Sequence, residues 1–525
     1  MTGWYDYSEM RSPARIVVVA VVLAACQGTP PPPTASPSPV VLPSTVPTPT
    51  PSPTPKTPLG GTLRVALSAP IGSLDPQIAD ANPLVASQIF EGLVGRGPNG
   101  AIAALATKWL VGPDGRAWTF TLRDGVTFHD GTAVDAVAVA KSLGRANDPL
   151  IEKADAPDAR TVVLTTRVPY GPFLNALASM PYLIVSPASR TSGTGPFRVP
   201  TGGDGVRPLV LERNDRYWRA DPSGQKLPYL DKINLTAIAD PGTRLASIRA
   251  GNVDFVQDLA LGDIGTIRAD PSLQLVTRPE TAVLYLGLDL SLPPLDDLRV
   301  RQAIAQSLSP RSLIDRLYSG TATVASQLPP PAMLGYDDSV AEFVKSDPAA
   351  AKKLLADSAH PNLEIDLWYV LDGTVTVPDM RKVAEAVGAD LAAAGISADP
   401  KTIDPITFEV SVRENRYPMW IGVASTATFD PHELLGAAFI PPIVNGQDQP
   451  TEAGGWINRE VAGLLRAAKS EPDQSKRAEL YKQVSKVVQR EIPRIPLAWS
   501  SPPAAATKKV INAQGALFAD VGMGK

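Results

Sequence analysis

The chain holds a single cysteine, and that cysteine closes an apolar run near the N-terminus. Residues Ile16 to Ala25 are ten consecutive apolar residues preceded by Arg11 and Arg15. Charge followed by a short apolar stretch is the layout of an export signal, and the stretch is too short to span a bilayer. It ends Leu23-Ala24-Ala25-Cys26. Small residues before a cysteine give a lipoprotein peptidase access to the backbone, so Cys26 is expected to be lipidated and to become the first mature residue. Two or more acyl chains anchor stably where one does not. Residues 1–10 carry Asp6 and Glu9, unlike the leading part of such a signal, which points to a translation start downstream of Met1.

Residues 27–58 contain 13 prolines among Thr, Ser and Val. Such a composition buries no core and favours extended polyproline II, so the segment is expected to act as a tether. At about 3.1 Å per residue it reaches on the order of 100 Å. The whole chain of 525 residues is 44% hydrophobic and 19% charged, the composition of a soluble globular protein, and residues 59–525 are long enough to bury a sizeable core. The net charge of -4 and the lack of a basic tract argue against nucleic acid as a partner.

Gly61-Thr-Leu-Arg-Val-Ala-Leu alternates and then breaks at Ser68-Ala-Pro, which predicts a first strand followed by a loop. Trp118, Phe120 and Leu122 fall on one face; the Asp124-Gly125 turn predicts a hairpin returning through Val126 and Phe128. Asp135, Asp297, Ser309-Pro310, Asp347-Pro348 and Asp379 each precede an apolar stripe at three-and-four spacing and are expected to cap helices. Two further stripes run through Val461, Leu464, Leu465 and Ala468 and through Leu480, Val484, Val487 and Val488; strands are expected at 283–290 and 363–370. Strands alternating with helices in both halves predict two α/β lobes with mixed sheets.

Several stretches resemble the extracellular solute-binding proteins of family 5, which serve peptide and nickel ABC importers. They are Leu74-Asp-Pro76, Ile89-Phe-Glu-Gly-Leu-Val94, Leu105-Ala-Thr-Lys-Trp109 and Trp118-Thr-Phe-Thr-Leu-Arg-Asp-Gly-Val-Thr-Phe-His-Asp-Gly131. Thr194-Gly-Pro-Phe197, Leu211-Glu-Arg-Asn214 with Tyr217-Trp218, Gly251-Asn-Val-Asp254 and Asp297-Leu-Arg-Val-Arg-Gln-Ala-Ile304 come next, in the family's order. The resemblance covers roughly residues 60 to 505. It implies an α/β fold of two lobes, the type II periplasmic-binding-protein clamshell with an extra subdomain inserted in lobe one. By the same analogy lobe one takes residues 59–85, 191–285 and 492–525, the insertion 86–190, and lobe two 286–491. Trp118, Phe120 and Phe128 are expected to build core.

Peptide-binding members place an aspartate in lobe two for the peptide's α-amino group, and here Ala427 stands in that position, which puts peptide import in doubt. The next residues, Phe429-Asp-Pro-His432, are similar to a Tyr-Asp-Pro-His stretch of nickel and metal-chelate binders, so His432 is a candidate ligand to a chelated metal. No metal is expected otherwise, since three histidines in all do not build a protein-only site. The resemblance implies a ligand pocket lined by Pro70, Ile71, Tyr285, Trp420, Ser425, Thr426, Phe429 and His432. No cofactor is expected. The partners implied are a small or peptide-like solute, the permease subunits of an ABC importer and the membrane through the lipid, with the protein itself a monomer outside the cytoplasm. A binding lipoprotein with a signalling or chaperone role is the other alternative.

An enzyme is not expected. His432-Glu433-Leu-Leu-Gly436 begins like a zinc-protease helix but lacks the second histidine, and phosphate-binding and nucleophile-elbow motifs are missing from the sequence. The adjacent pairs Asp296-Asp297 and Asp337-Asp338 read as caps or loops.

Overall fold

The computed structural model describes residues 57–97, 100–203, 208–340, 346–370, 378–405, 407–408, 417–441, 443–444, 447–448, 455–514 and 518–524. Cys26 and the tether as far as Lys56 lie outside the described residues. Among those described, no helix is long and apolar enough to cross a membrane.

Strand Thr62–Leu67 alternates through Arg64 and is then buried on both faces over residues 65–67, and it occupies the centre of a seven-stranded sheet. It pairs in parallel with Lys232–Ala237 on one side and Phe255–Val256 on the other. Antiparallel Leu209–Arg213 and Phe197–Arg198 extend the first flank, and Ala504–Thr507 and Leu273–Val276 the second. A second, six-stranded sheet runs Ala322–Val324, Arg494–Ser500, Ala282–Leu288, Met419–Ser425, Glu364–Val370 and Ser397–Ile403. Strands Ala282–Leu288 and Arg494–Ser500, which the sequence reading divides between lobes at 285/286 and 491/492, both belong to this sheet. The chain crosses between the two large sheets at residues 277–281 and 501–503.

Inside the six-stranded sheet two aromatic rings lie over two glycines of the facing strand. Tyr285 is paired with Gly422 and Trp420 with Gly287. A Cβ on Gly287 would stand 2.2 Å from Trp420 Cε2, and one on Gly422 2.4 Å from Tyr285 Cζ. Gly287→Ala is therefore expected to cost about 1–3 kcal/mol through overpacking, read as a lowered urea midpoint; an unchanged midpoint would show that the ring moves freely.

A third sheet joins Ala106–Val111, Ala117–Leu122, Thr161–Thr166 and Ile151–Asp158. Here the expected hairpin is corrected. Residues 117–122 pair with 106–111 and 161–166, and the stretch after Asp124-Gly125 folds on itself through Val134 N to Val126 O and Phe128 N to Thr132 O. Val162 and Leu164 arrive from later in the chain with better apolar alternation and take the neighbouring place. Trp118, Phe120 and Phe128 are fully buried in this subdomain's core. At its border half-buried Glu91 accepts from Trp218 Nε1, Tyr217 OH and Thr194 Oγ1. Burial raises the Glu91 pKa against those three donors.

The aspartate caps form as the sequence predicts: Asp135, Asp297, Asp347 and Asp379 accept from the first-turn amides of helices Ala136–Arg145, Leu298–Ser307, Pro348–Ala356 and Met380–Ala393. Ser309 differs. Helix Pro310–Leu317 starts after it, but its side chain makes no capping bond, and its N–H donates to Asp390 instead. The two late stripes become helices Arg459–Ser470 and Gln474–Glu491.

Candidate functional site

Strands Thr62–Leu67, Lys232–Ala237 and Phe255–Val256 all end at one edge of the seven-stranded sheet, where the loops 68–82, 238–240 and 257–260 emerge. Crevices outside the carboxyl ends of parallel strands are the preferred ligand positions of α/β sheets. In the six-stranded sheet, Ser425 ends its strand opposite Ala282, which is itself opposite Ser500. Both crossing segments therefore leave that sheet beside the loop 425–430.

A chain of contacts joins these edges. Ser68 Oγ donates to Asp258. Asp258 acts electrostatically on Arg278, whose guanidinium stands 5.9 Å from the Phe255 ring. Ser501 Oγ donates to Arg278 O at 2.8 Å, Thr281 N to Ser500 O at 3.0 Å, and Thr426 N to Thr281 O at 3.1 Å. From the third sheet's side Arg96, on strand Val94–Gly97, donates to Ala427 O at 2.6 Å and lies 5.9 Å from the Phe429 ring. Helix Pro83–Ile89, capped by Asn82, leads from the Ser68 loop to Arg96, and Asn82 Nδ2 donates to Pro70 O at 3.2 Å. The contacts thus close a ring through Ser68, Asp258, Arg278, Thr281, Ala427 and Arg96.

Loop 425–430 is built around one carboxylate. Glu433 accepts from Thr426 Oγ1, Thr428 Oγ1, Thr428 N and Ala427 N. Burial alone would raise its pKa, but those donors hold it below the ordinary value. Phe429 takes a left-handed backbone at φ 63°, which turns the chain into helix Pro431–Phe439. Burial lowers the pKa of Arg96, partly opposed by Glu433.

Behind the loop lies a buried ion pair. Arg477 Nη2 donates to both Asp430 oxygens at 2.7 and 2.8 Å and to Tyr481 OH at 2.9 Å. Asp430 also caps the helix through His432 N and accepts from Asn175 Nδ2 at 2.9 Å. Asn175 belongs to helix Phe173–Leu177 of the inserted subdomain, and Gly171 N donates to Lys469 O at 2.7 Å beside it. Burial opposes the Arg477 charge, yet Asp430 and Tyr481 outweigh it and raise the pKa.

The eight residues expected to line a pocket divide between the loops and the cores behind them. Pro70 is exposed, Ile71 is packed in the core of the seven-stranded sheet, and Tyr285 and Trp420 lie in the aromatic layer of the six-stranded sheet. Ser425 is exposed, and Thr426 and Phe429 are buried within the loop. His432 is 9% exposed, with Gly436 against its ring and no partner for Nδ1 among the described residues. No group of three or more His, Cys, Asp or Glu is placed to hold a metal among the described residues. Sequence reasoning missed Arg96, Asp258, Arg278 and Asn175; each meets its partner only across the fold, and no local pattern marks it.

His432 and His129 both set a pH dependence. Burial pushes each down to about 4; His129 accepts from Gly193 N at Nδ1 and donates from Nε2 to Gly195 O, and so is neutral. Unfolded histidines titrate near 6.5, so the unfolded chain binds more protons as pH falls from about 6.5 towards 4, and stability falls with it, by at most about 3 kcal/mol per histidine. The urea midpoint should decline between pH 7 and 5 and decline less in a His129→Gln/His432→Gln variant; equal slopes would contradict buried neutral rings.

Comparison with known proteins agrees with this geometry. The profile of bacterial extracellular solute-binding proteins, family 5 Middle, matches residues 100–445. Heme-binding protein A of Haemophilus influenzae is 27% identical over 82% of this chain and 86% of its own length. Glutathione-binding protein GsiB of Escherichia coli O1:K1 is 26% identical, covering 82% and 88%. The solved structure of HbpA2 from Haemophilus parasuis superposes with a TM-score of 0.76 at 25% identity, covering 89% of this chain and 100% of that one. With a family profile spanning most of the chain and a two-lobe α/β fold shared with these proteins, the chain belongs to family 5 of the bacterial extracellular solute-binding proteins, the extracytoplasmic binding components of ABC importers.

Proposed function

We propose that this protein captures a small solute at the ringed junction of its two lobes and delivers it to an importer permease, and that the solute is not an ordinary peptide with a free α-amine. The observation that carries the ligand reading is the state of loop 425–430. Glu433, on the helix that follows, is consumed by four donors of the loop, the loop's own Asp430 is paired with Arg477, and Ala427 offers an exposed methyl group where a peptide-binding acid would stand. Arg96 reaches the same loop. An α-ammonium brought here would meet a cation and no free acid, and an uncompensated ammonium is costly to desolvate. Haem and glutathione, for which two relatives are named, both carry carboxylates.

The lobes divide at the linkers 277–281 and 501–503, with residues 86–190 inserted in lobe one; Pro70, Ser425, Thr426 and Phe429 stand nearest the junction, and Ile71, Tyr285, Trp420 and His432 support it from behind. Cys26 carries lipid, the Pro-rich segment tethers the body to the membrane, and the protein acts as a monomer that performs no chemistry on its solute. Native mass spectrometry of the purified protein, followed by thermal-shift screening with dipeptides to pentapeptides, glutathione, haem and nickel chelates, tests this, because binding to the folded state must stabilise it. Stabilisation by an N-blocked peptide or by haem supports the reading. Micromolar binding of ordinary peptides that is abolished by acetylating the α-amine contradicts it.

A further inference from the structure

We propose that Arg278 is the anion-binding residue of the solute site and that it seats a carboxylate of the solute. The inference rests on the reading that solute binds at the junction of the lobes, and it names the chemistry expected there. Arg278 lies on the first crossing segment, just past strand Leu273–Val276, at the carboxyl edge of the seven-stranded sheet. Its backbone is fixed, since its carbonyl accepts from Ser501 Oγ on the second crossing segment. Its guanidinium faces the Phe255 ring at 5.9 Å.

What distinguishes Arg278 from the other arginines of the region is an unused fork. Arg244 donates to Ile238 O, Ala239 O and Asp258 O, Arg64 pairs with Asp254, and Arg96 donates to Ala427 O. Arg278 makes no side-chain hydrogen bond among the described residues. The acid whose charge it feels, Asp258, is engaged by Ser68 and held in a left-handed backbone at φ 52°. Five donors in a planar array, partly withdrawn from water and aimed by an aromatic face, match the two oxygens of a carboxylate. The two linkers converge here, so a carboxylate bound by Arg278 would sit where lobe movement is smallest.

The test uses matched pairs of probes on the purified protein: glutathione and its dimethyl ester, haem and its dimethyl ester, N-acetyl-dialanine and its amide. The acid of at least one pair should raise the melting temperature and its neutral partner should not. Arg278→Gln should weaken that acid about 10- to 100-fold, the range expected for losing a charge-assisted hydrogen bond, and Arg278→Lys should recover part of the loss. Both variants should melt near the parent without ligand, which separates binding from folding. An acid that binds parent and Arg278→Gln equally overturns the Arg278 site while leaving solute binding at the junction intact. Neutral partners that bind as well as the acids also overturn it. No stabilisation by any probe overturns both this site and the ligand reading on which it rests.

Discussion

Asp430→Ala is expected to lower the unfolding free energy by about 3–5 kcal/mol, the cost of leaving a buried charge without its partner. Arg477 and Asp430 are almost completely buried, with side chains 2% and 1% exposed. Removing the carboxylate strands the Arg477 guanidinium and also takes away the acceptor of Asn175 and the cap of helix Pro431–Phe439. Asp430→Ala with Arg477→Met should lose less than Asp430→Ala alone, because the double change leaves no charge to desolvate. Urea unfolding checks both. A loss below about 1 kcal/mol for the single variant would show that water reaches the pair. Asn175 comes from the inserted subdomain, so the same variant should also loosen that subdomain's contact with loop 425–430, seen as faster amide exchange at Gly171 and Asn175.

The second large effect concerns location. Cys26→Ala should move the protein from the membrane to the soluble extracytoplasmic fraction and abolish its labelling with radioactive palmitate, because the ten-residue apolar run before it is too short to hold the chain by itself. In the Pro-rich segment after Cys26 the longest run of Val, Leu, Ile or Phe is Val40-Val41-Leu42, too short to replace the lipid. Retention of the alanine variant in washed membranes would mean that another element binds the membrane.

Much of the fold is legible in the sequence because its signals are local. Aspartate caps followed by apolar stripes give four helices their starting points, and the alternation at Thr62–Leu67 marks a strand that becomes the centre of its sheet. The Trp118 signature reads correctly as core, since three large rings at two-residue spacing or beyond a turn cannot all be exposed. The hairpin after Leu122 fails for a non-local reason: the partner strand, Thr161–Thr166, comes from much later in the chain and outcompetes the near one. Ser309 precedes its helix as expected but makes no side-chain cap, while its own N–H donates across the fold to Asp390 on another helix, a contact no local pattern marks.

The site is less legible, and its parts show why. Trp420 and Tyr285 are pocket candidates by family resemblance, and each faces a glycine on the neighbouring strand, an arrangement that only the register Gly287↔Trp420 and Tyr285↔Gly422 reveals. Glu433 reads as the second residue of a failed zinc motif and turns out to organise the loop that contains Ala427. Arg96 and Ala427 are separated by 331 positions, and Asn175 and Asp430 by 255, so neither pair has a sequence signature.

A solute held between the two lobes should close them, since a ligand touching both surfaces favours the state in which both are in contact. Small-angle X-ray scattering, with and without a solute shown to bind by mass spectrometry, measures this directly. A smaller radius of gyration at saturation is the predicted result, and a radius that does not change on saturation would contradict it.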